Sequence, residues 1–125
     1  MSRITPIASD VEAALFMNSV PYPEYVPPVM TLTSNRSMVL GCYDPELVGC
    51  WPINLWDDCA EFHACFLRGR RGRYAVEQTR AAFLWLFDHS KYDKIISDIE
   101  ERHVRHFARA CGMSKNGDYY EVYRQ

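Results

Sequence analysis

The stretch from Cys59 to Phe87 constrains this chain more than any other. An apolar run, Cys59-Ala-Glu-Phe-His-Ala-Cys-Phe-Leu67, reads as a strand and breaks at Arg68-Gly-Arg-Arg-Gly-Arg73. A helical pattern from Val76 to Phe87 begins at once. Two glycines, four arginines and a helix N-terminus therefore meet at one point, which brings backbone N–H groups and positive charge together. Such a junction suits a phosphorylated ligand. The plainer alternative is a solvated basic turn that only joins strand to helix, and four arginines are unusual for that task.

The elements around this junction are short. Arg3 to Ile7 reads as a strand, with Pro6 favouring an edge or an early end. Ser9 or Asp10 can cap a helix from about Val11 to Ser19, and Glu12 stands at capping-box spacing from Ser9. Val11, Ala14, Leu15 and Val20 fall on one side of that helix and are expected to face inward. Pro21 to Pro28 is a proline-rich loop suited to lidding a pocket. Ser37 to Tyr43, Leu47 to Ile53, and Cys59 to Leu67 then read as three strands with short connections, an antiparallel meander. Tyr92 to Ser97 is a fourth strand after the second helix. A third helix, about Glu101 to Cys111, stops at Gly112. Asn116-Gly117 signals a hairpin before a last strand, Asp118 to Arg124. The order is β-α-β-β-β-α-β-α-β, an α/β fold with a mixed central sheet flanked by helices.

At 125 residues the chain reads as one domain, able to bury roughly two-thirds of its unfolded surface. With 48% apolar residues it is expected to be globular. A net charge of -2 removes any global electrostatic reason for nucleic-acid binding. The arginine loop with Tyr74 is a local exception, but no long basic stripe accompanies it. The five cysteines are odd in number and lack Cys-x-x-Cys spacing, so reduced, buried thiols in a cytoplasmic protein are expected. Neither a signal-peptide pattern nor an apolar stretch long enough for a bilayer is present in this sequence, and no membrane partner is expected.

Order and local residues together resemble the GNAT family, the Gcn5-related N-acetyltransferases. Ile4 to Asp10 is similar to that family's opening strand, Leu47-Val-Gly49 to its central strand, and Val104 to Met113 to its late helix. Ala60-Glu-Phe-His63 followed by Phe66 to Ala75 resembles the acetyl-CoA-binding strand, loop and helix. The loop departs from the family pattern at Arg73, where a glycine is usual. The resemblance implies a GNAT-like domain that uses acetyl-CoA as co-substrate and transfers acetyl to a small-molecule or protein amine. Small GNAT-like chains with eroded loops also occur among phage proteins, which adds an alternative: a catalytically inactive binding or structural protein, virion-associated or a homodimer.

By that resemblance, Phe66 and Leu67 offer backbone groups to the pantetheine arm. Arg68, Gly69, Arg70, Arg71, Gly72, Arg73, Tyr74 and Ala75 cradle the phosphates. Glu61, His63 and Cys65 alternate onto one strand face. Glu61 is the first choice for general base and His63 the second, acting through water. The family's acid tyrosine is matched by Ala108, and Tyr119, Tyr120 and Tyr123 are the substitutes on the last strand. A zinc site at His63-x-Cys65 with Cys59 lacks a second ligand pair, so no metal is expected. His103 and His106, with arginines around them, read as a polar helix surface.

Overall fold

The computed structural model describes residues 2–19, 36–97 and 102–125. Strands β2 (Ser37–Tyr43), β3 (Leu47–Leu55) and β4 (Ala60–Phe62) pair antiparallel in sequence order, as the short turns between them dictate. Strand β1 (Arg3–Pro6) adds to the β2 edge, with Arg3 opposite Tyr43. A two-residue strand, β5 (Cys65–Phe66), rejoins β3 after β4 ends. The long helix α2 (Arg73–His89) then carries the chain across to β6 (Lys94–Ser97), which runs parallel to β4 with Ala60 opposite Ile95. Such a parallel pairing needs a crossover of this kind. The hairpin of β7 (Ser114–Asn116) and β8 (Tyr119–Tyr123) completes the order β1-β2-β3-β4-β6-β8-β7. The expected mixed sheet with flanking helices is what the chain forms.

Strand alternation divides the core in two. Leu40, Trp51, Ile53, Phe62, Phe66 and Ile95 pack under Ala82, Phe83, Leu86 and Phe87 of α2. Trp51 is fully buried there, and its indole N–H donates to Thr79 Oγ1 at 2.9 Å. On the opposite face, Ala13 and Met17 of helix α1 (Asp10–Ser19) pack on Val39, Cys50 and Cys65. Helix α3 (Arg102–Ala110) contributes Ala108 to the α2-side core and ends at Gly112, φ +93°. The Met113 N–H reaches the Ala108 carbonyl and the Gly112 N–H reaches Arg109, the paired bonds of a Schellman cap.

Several local expectations need correction. Val11 and Leu15 are exposed, and Ala13 and Met17 face the core instead. Apolar residues occur on all sides of α1, so spacing alone did not select a face. Ser9 Oγ accepts the Glu12 N–H at 3.3 Å, but the Glu12 carboxylate accepts from the Tyr43 hydroxyl and does not close a capping box. The strand expected from Cys59 to Leu67 is two pieces, broken at His63-Ala64. Within Phe83-Leu-Trp-Leu-Phe87 of α2, Phe83, Leu86 and Phe87 are buried, Leu84 is exposed, and Trp85 stacks on His89 at 4.1 Å. The proline-rich loop Pro21 to Pro28 lies outside the described residues.

Candidate functional site

Backbone pairing determines which edge of the broken strand is open. The His63 N–H donates to Pro52, the Leu67 N–H donates to Val48, and Cys50 stands opposite Cys65. Hydrogen-bonded positions alternate along an antiparallel ladder. The N–H and C=O groups of Ala64 and Phe66 are therefore turned away from β3, toward the β6 side. Strand β6 pairs with β4 only at Ala60 and Glu61, and Ser97 Oγ then donates to the Phe62 carbonyl at 2.7 Å. Among the described residues, no strand pairs with that edge beyond this point.

The junction of β5 with α2 lies at the end of this open edge. Arg68–Arg70 make one turn of 3-10 helix, Arg71 is extended, and Gly72 caps α2 at φ +75°. The first helical bond of this cap joins the Val76 N–H to the Gly72 carbonyl. The Arg73, Tyr74 and Ala75 amides thus lie in the unpaired first turn, which holds no acidic residue. A side chain at Gly69 would meet nothing within 4 Å, so the backbone there is open to a close approach.

The loop residues divide into two groups. Arg68 and Arg73 are exposed, with Arg73 paired to Glu77 one turn along the helix at 3.1 Å. Arg70 turns back to Asp44 at 2.9 Å and lies over the Tyr74 ring, 5.0 Å from its centre. Tyr74 also donates to Asp44, at 2.8 Å. That hydrogen bond, followed by Arg70, holds the Asp44 carboxyl below its ordinary value against the opposing effect of burial. Arg71 Nε lies 3.4 Å from the Phe66 carbonyl. Ala75 lies on the buried, core-facing side of α2.

Glu61 and His63 are brought together on the face opposite α2. His63 Nε2 is 3.2 Å from Glu61 Oε2, and the Trp56 indole donates to Glu61 Oε1 at 2.9 Å. The His63 hydrogen bond, with Trp56 and Asn54 in support, holds the Glu61 carboxyl below its ordinary value although burial works the other way. The carboxylate is the stable form, and the imidazole that donates through Nε2 keeps Nδ1 as an acceptor. Glu61 belongs to a row across the sheet, Ser37, Asn54, Glu61, Ile96, Glu121 and Ser114. An open pocket of about 500 Å³ adjoins this row, walled by Trp56 and Tyr119 with Asp57, Asp58, Glu121 and Lys94. Cys65 does not join the pair, being buried against Cys50 beneath α1.

Of the three tyrosines on the last strand, Tyr119 and Tyr123 are exposed. Tyr120 is buried, opposite Ser97 in the ladder, and its hydroxyl has no hydrogen-bond partner among the described residues. Sequence reading missed Trp56, Asp44 and Ser97. The indole beside an Asp-Asp turn was the only local signal for Trp56, and the other two act through partners distant in the chain.

Solved structures share this fold. A point mutant of spermidine N-acetyltransferase SpeG from Vibrio cholerae superposes with a TM-score of 0.73 at 13% identity, over 98% of this chain and 93% of that one. Aminoglycoside acetyltransferase AAC(6')-Ib in complex with coenzyme A gives 0.76 at 12% identity, over 100% and 96%. The same enzyme with coenzyme A and kanamycin gives 0.75 at 13% identity, again over 100% and 96%. These are GNAT acetyltransferases, and at such identities the likeness is one of fold. No curated protein sequence matches the chain. One family model does, over residues 33–123, and it places the chain in the family described as protein of unknown function, DUF2824.

Proposed function

We propose that this domain transfers an acetyl group from acetyl-CoA to an amine, on the Glu61 face of the sheet. The observation that carries the reading is the alignment of three features along one strand. These are the outward-turned backbone of Ala64 and Phe66, the open first turn of α2, and the Glu61–His63 pair that reaches into the break. The Ala64 and Phe66 backbone groups would hold the pantetheine arm as an added strand. The α2 amides, with Arg68 and Arg73, would hold the phosphates. The fold neighbours solved with coenzyme A support this assignment.

His63 is the better-placed base. A carboxylate held low by three donors is a poor proton acceptor, whereas Glu61 in that state fixes the His63 tautomer and stabilises the imidazolium once formed. The carboxylates of Asp57, Asp58 and Glu121, with the aromatic walls, favour an ammonium substrate in the adjoining pocket. Tyr120 packs in the α2-side core, across the sheet from Glu61, and is assigned no part in the transfer.

One observation favours a second reading, a GNAT-shaped binding protein without catalysis. Arg70 and Tyr74 are committed to Asp44, and Arg71 lies at the Phe66 carbonyl that a pantetheine arm would use. Thermal unfolding with saturating acetyl-CoA, followed by an assay of CoA thiol release with a panel of primary amines, separates the two. Ligand at about 100 times its Kd adds about 2.7 kcal/mol, several degrees in a domain of this size. A midpoint that does not move in folded protein puts the second reading in front.

A further inference from the structure

We propose that Cys50 and Cys65 form a reversible intramolecular disulfide, a modification site built across the β3–β5 ladder. The two residues are direct partners in register, Cys50 opposite Cys65. Both are buried in the same small cluster under α1, while Cys42 and Cys111 lie in the core on the α2 side. The flanking bonds, His63 to Pro52 and Leu67 to Val48, make theirs a hydrogen-bonded position of the ladder. Such positions have Cα atoms about 5.5 Å apart, inside the roughly 4.4–6.8 Å that a disulfide spans. Cross-strand Cβ atoms stand about 4.5–5.5 Å apart, against about 3.5–4.5 Å in a disulfide. Closure must therefore draw β5 slightly toward β3, and a bond formed under that strain is readily reduced again.

The contact also gives the two thiols unequal roles. Cys50 donates to Cys65, which raises the Cys50 thiol and lowers that of Cys65, and the charge of Arg71 further favours a Cys65 thiolate. With hydrogen peroxide as oxidant, the Cys65 thiolate attacks one peroxide oxygen and the O–O bond breaks. Sulfenic acid forms on Cys65 and, after proton uptake, one water leaves. Cys50 then attacks the Cys65 sulfur, the S–S bond forms, and the sulfenic oxygen departs as a second water. Two thiols lose two electrons and the peroxide gains them. A small dithiol reverses the change through a mixed disulfide. The inference stands whether or not the domain transfers acyl groups.

The test is to treat the reduced, folded full chain with hydrogen peroxide, quench, block remaining thiols with N-ethylmaleimide in guanidinium chloride, and map chymotryptic fragments without reductant. Cleavage after Tyr43, Trp56, Phe62 and Phe66 places Cys50, Cys59 and Cys65 in three separate fragments. The expected result is a Cys50–Cys65 linked pair that dithiothreitol removes, with Cys42, Cys59 and Cys111 still alkylated. The same linkage should form in Cys42→Ala and be lost in Cys65→Ala. Linkage to another cysteine, linkage only after unfolding in urea, or Cys65 stopping at sulfinic acid would each overturn the proposal.

Discussion

His63 Nε2 and Glu61 Oε2 lie 3.2 Å apart, although the two residues are same-face neighbours on one strand, with backbones about 6.5–7 Å apart. Only two side chains leaning toward each other close that gap, and the Trp56 indole holds Glu61 in place from the other side. If His63 is the base and Glu61 its support, His63→Gln should lower the transfer rate by about 10²–10⁴. Glu61→Gln, which keeps the hydrogen-bonding shape, should cost less. Steady-state rates with acetyl-CoA and a common amine decide the order, and a reversed order would return the role of base to Glu61.

Glu61 also leaves a mark on stability against pH. Its carboxyl is held below the ordinary 4.5 in the folded chain. The resulting stabilisation is fully present above that value and is lost as pH falls through the lower folded-state value. Thermal midpoints of the native chain and Glu61→Gln should therefore differ most above about pH 5 and converge in acid. A difference that grows on acidification would contradict the assignment.

The loop arginines should separate by experiment. Arg70 is held by Asp44 and Tyr74, so Arg70→Ala should lower the thermal midpoint measured without added ligand. Arg68 and Arg73 face solvent, and replacing both with alanine should leave that midpoint unchanged while reducing the rise produced by acetyl-CoA. Equal behaviour of the three substitutions would mean that the loop does not divide as its contacts indicate.

That division also shows what was legible beforehand. The four arginines stood out together because a basic, glycine-containing junction is a local pattern. Their separate roles depend on Asp44, 26 residues before Arg70, which no local spacing reveals. β2 was read to the residue because the Asp44-Pro45 turn closes it. The break at His63-Ala64 was missed because neither glycine nor proline marks it. The buried face of α1 was misread because its apolar residues surround the helix.

Gly49 tests the packing that holds the candidate cofactor edge. A Cβ there would stand 2.4 Å from two ring atoms of Phe66, which is itself buried between Trp51 and Tyr74. The ring cannot swing away, so Gly49→Ala should destabilise by about 1–3 kcal/mol and displace the end of β5. Gly69→Ala, with open space around it, is the matched control and should stay within about 0.5 kcal/mol. Denaturant unfolding of the two variants makes the comparison. A neutral Gly49→Ala would mean that the Phe66 ring is not fixed against β3.

Tyr120 separates stability from activity. Its hydroxyl is buried with no hydrogen-bond partner among the described residues, and a desolvated polar group of that kind costs about 1–3 kcal/mol. Tyr120→Phe removes that cost while keeping the ring, so the thermal midpoint should hold or rise. The side chain belongs to the α2-side core, across the sheet from Glu61, so transfer should be unchanged, and a loss of about 10² or more would bring the hydroxyl into the reaction. Tyr123→Phe, at an exposed position, should alter neither quantity. A Tyr120→Phe protein with a raised midpoint and full activity would leave the hydroxyl without a role in the reaction. One with a lowered midpoint would mean that the hydroxyl contributes to the fold.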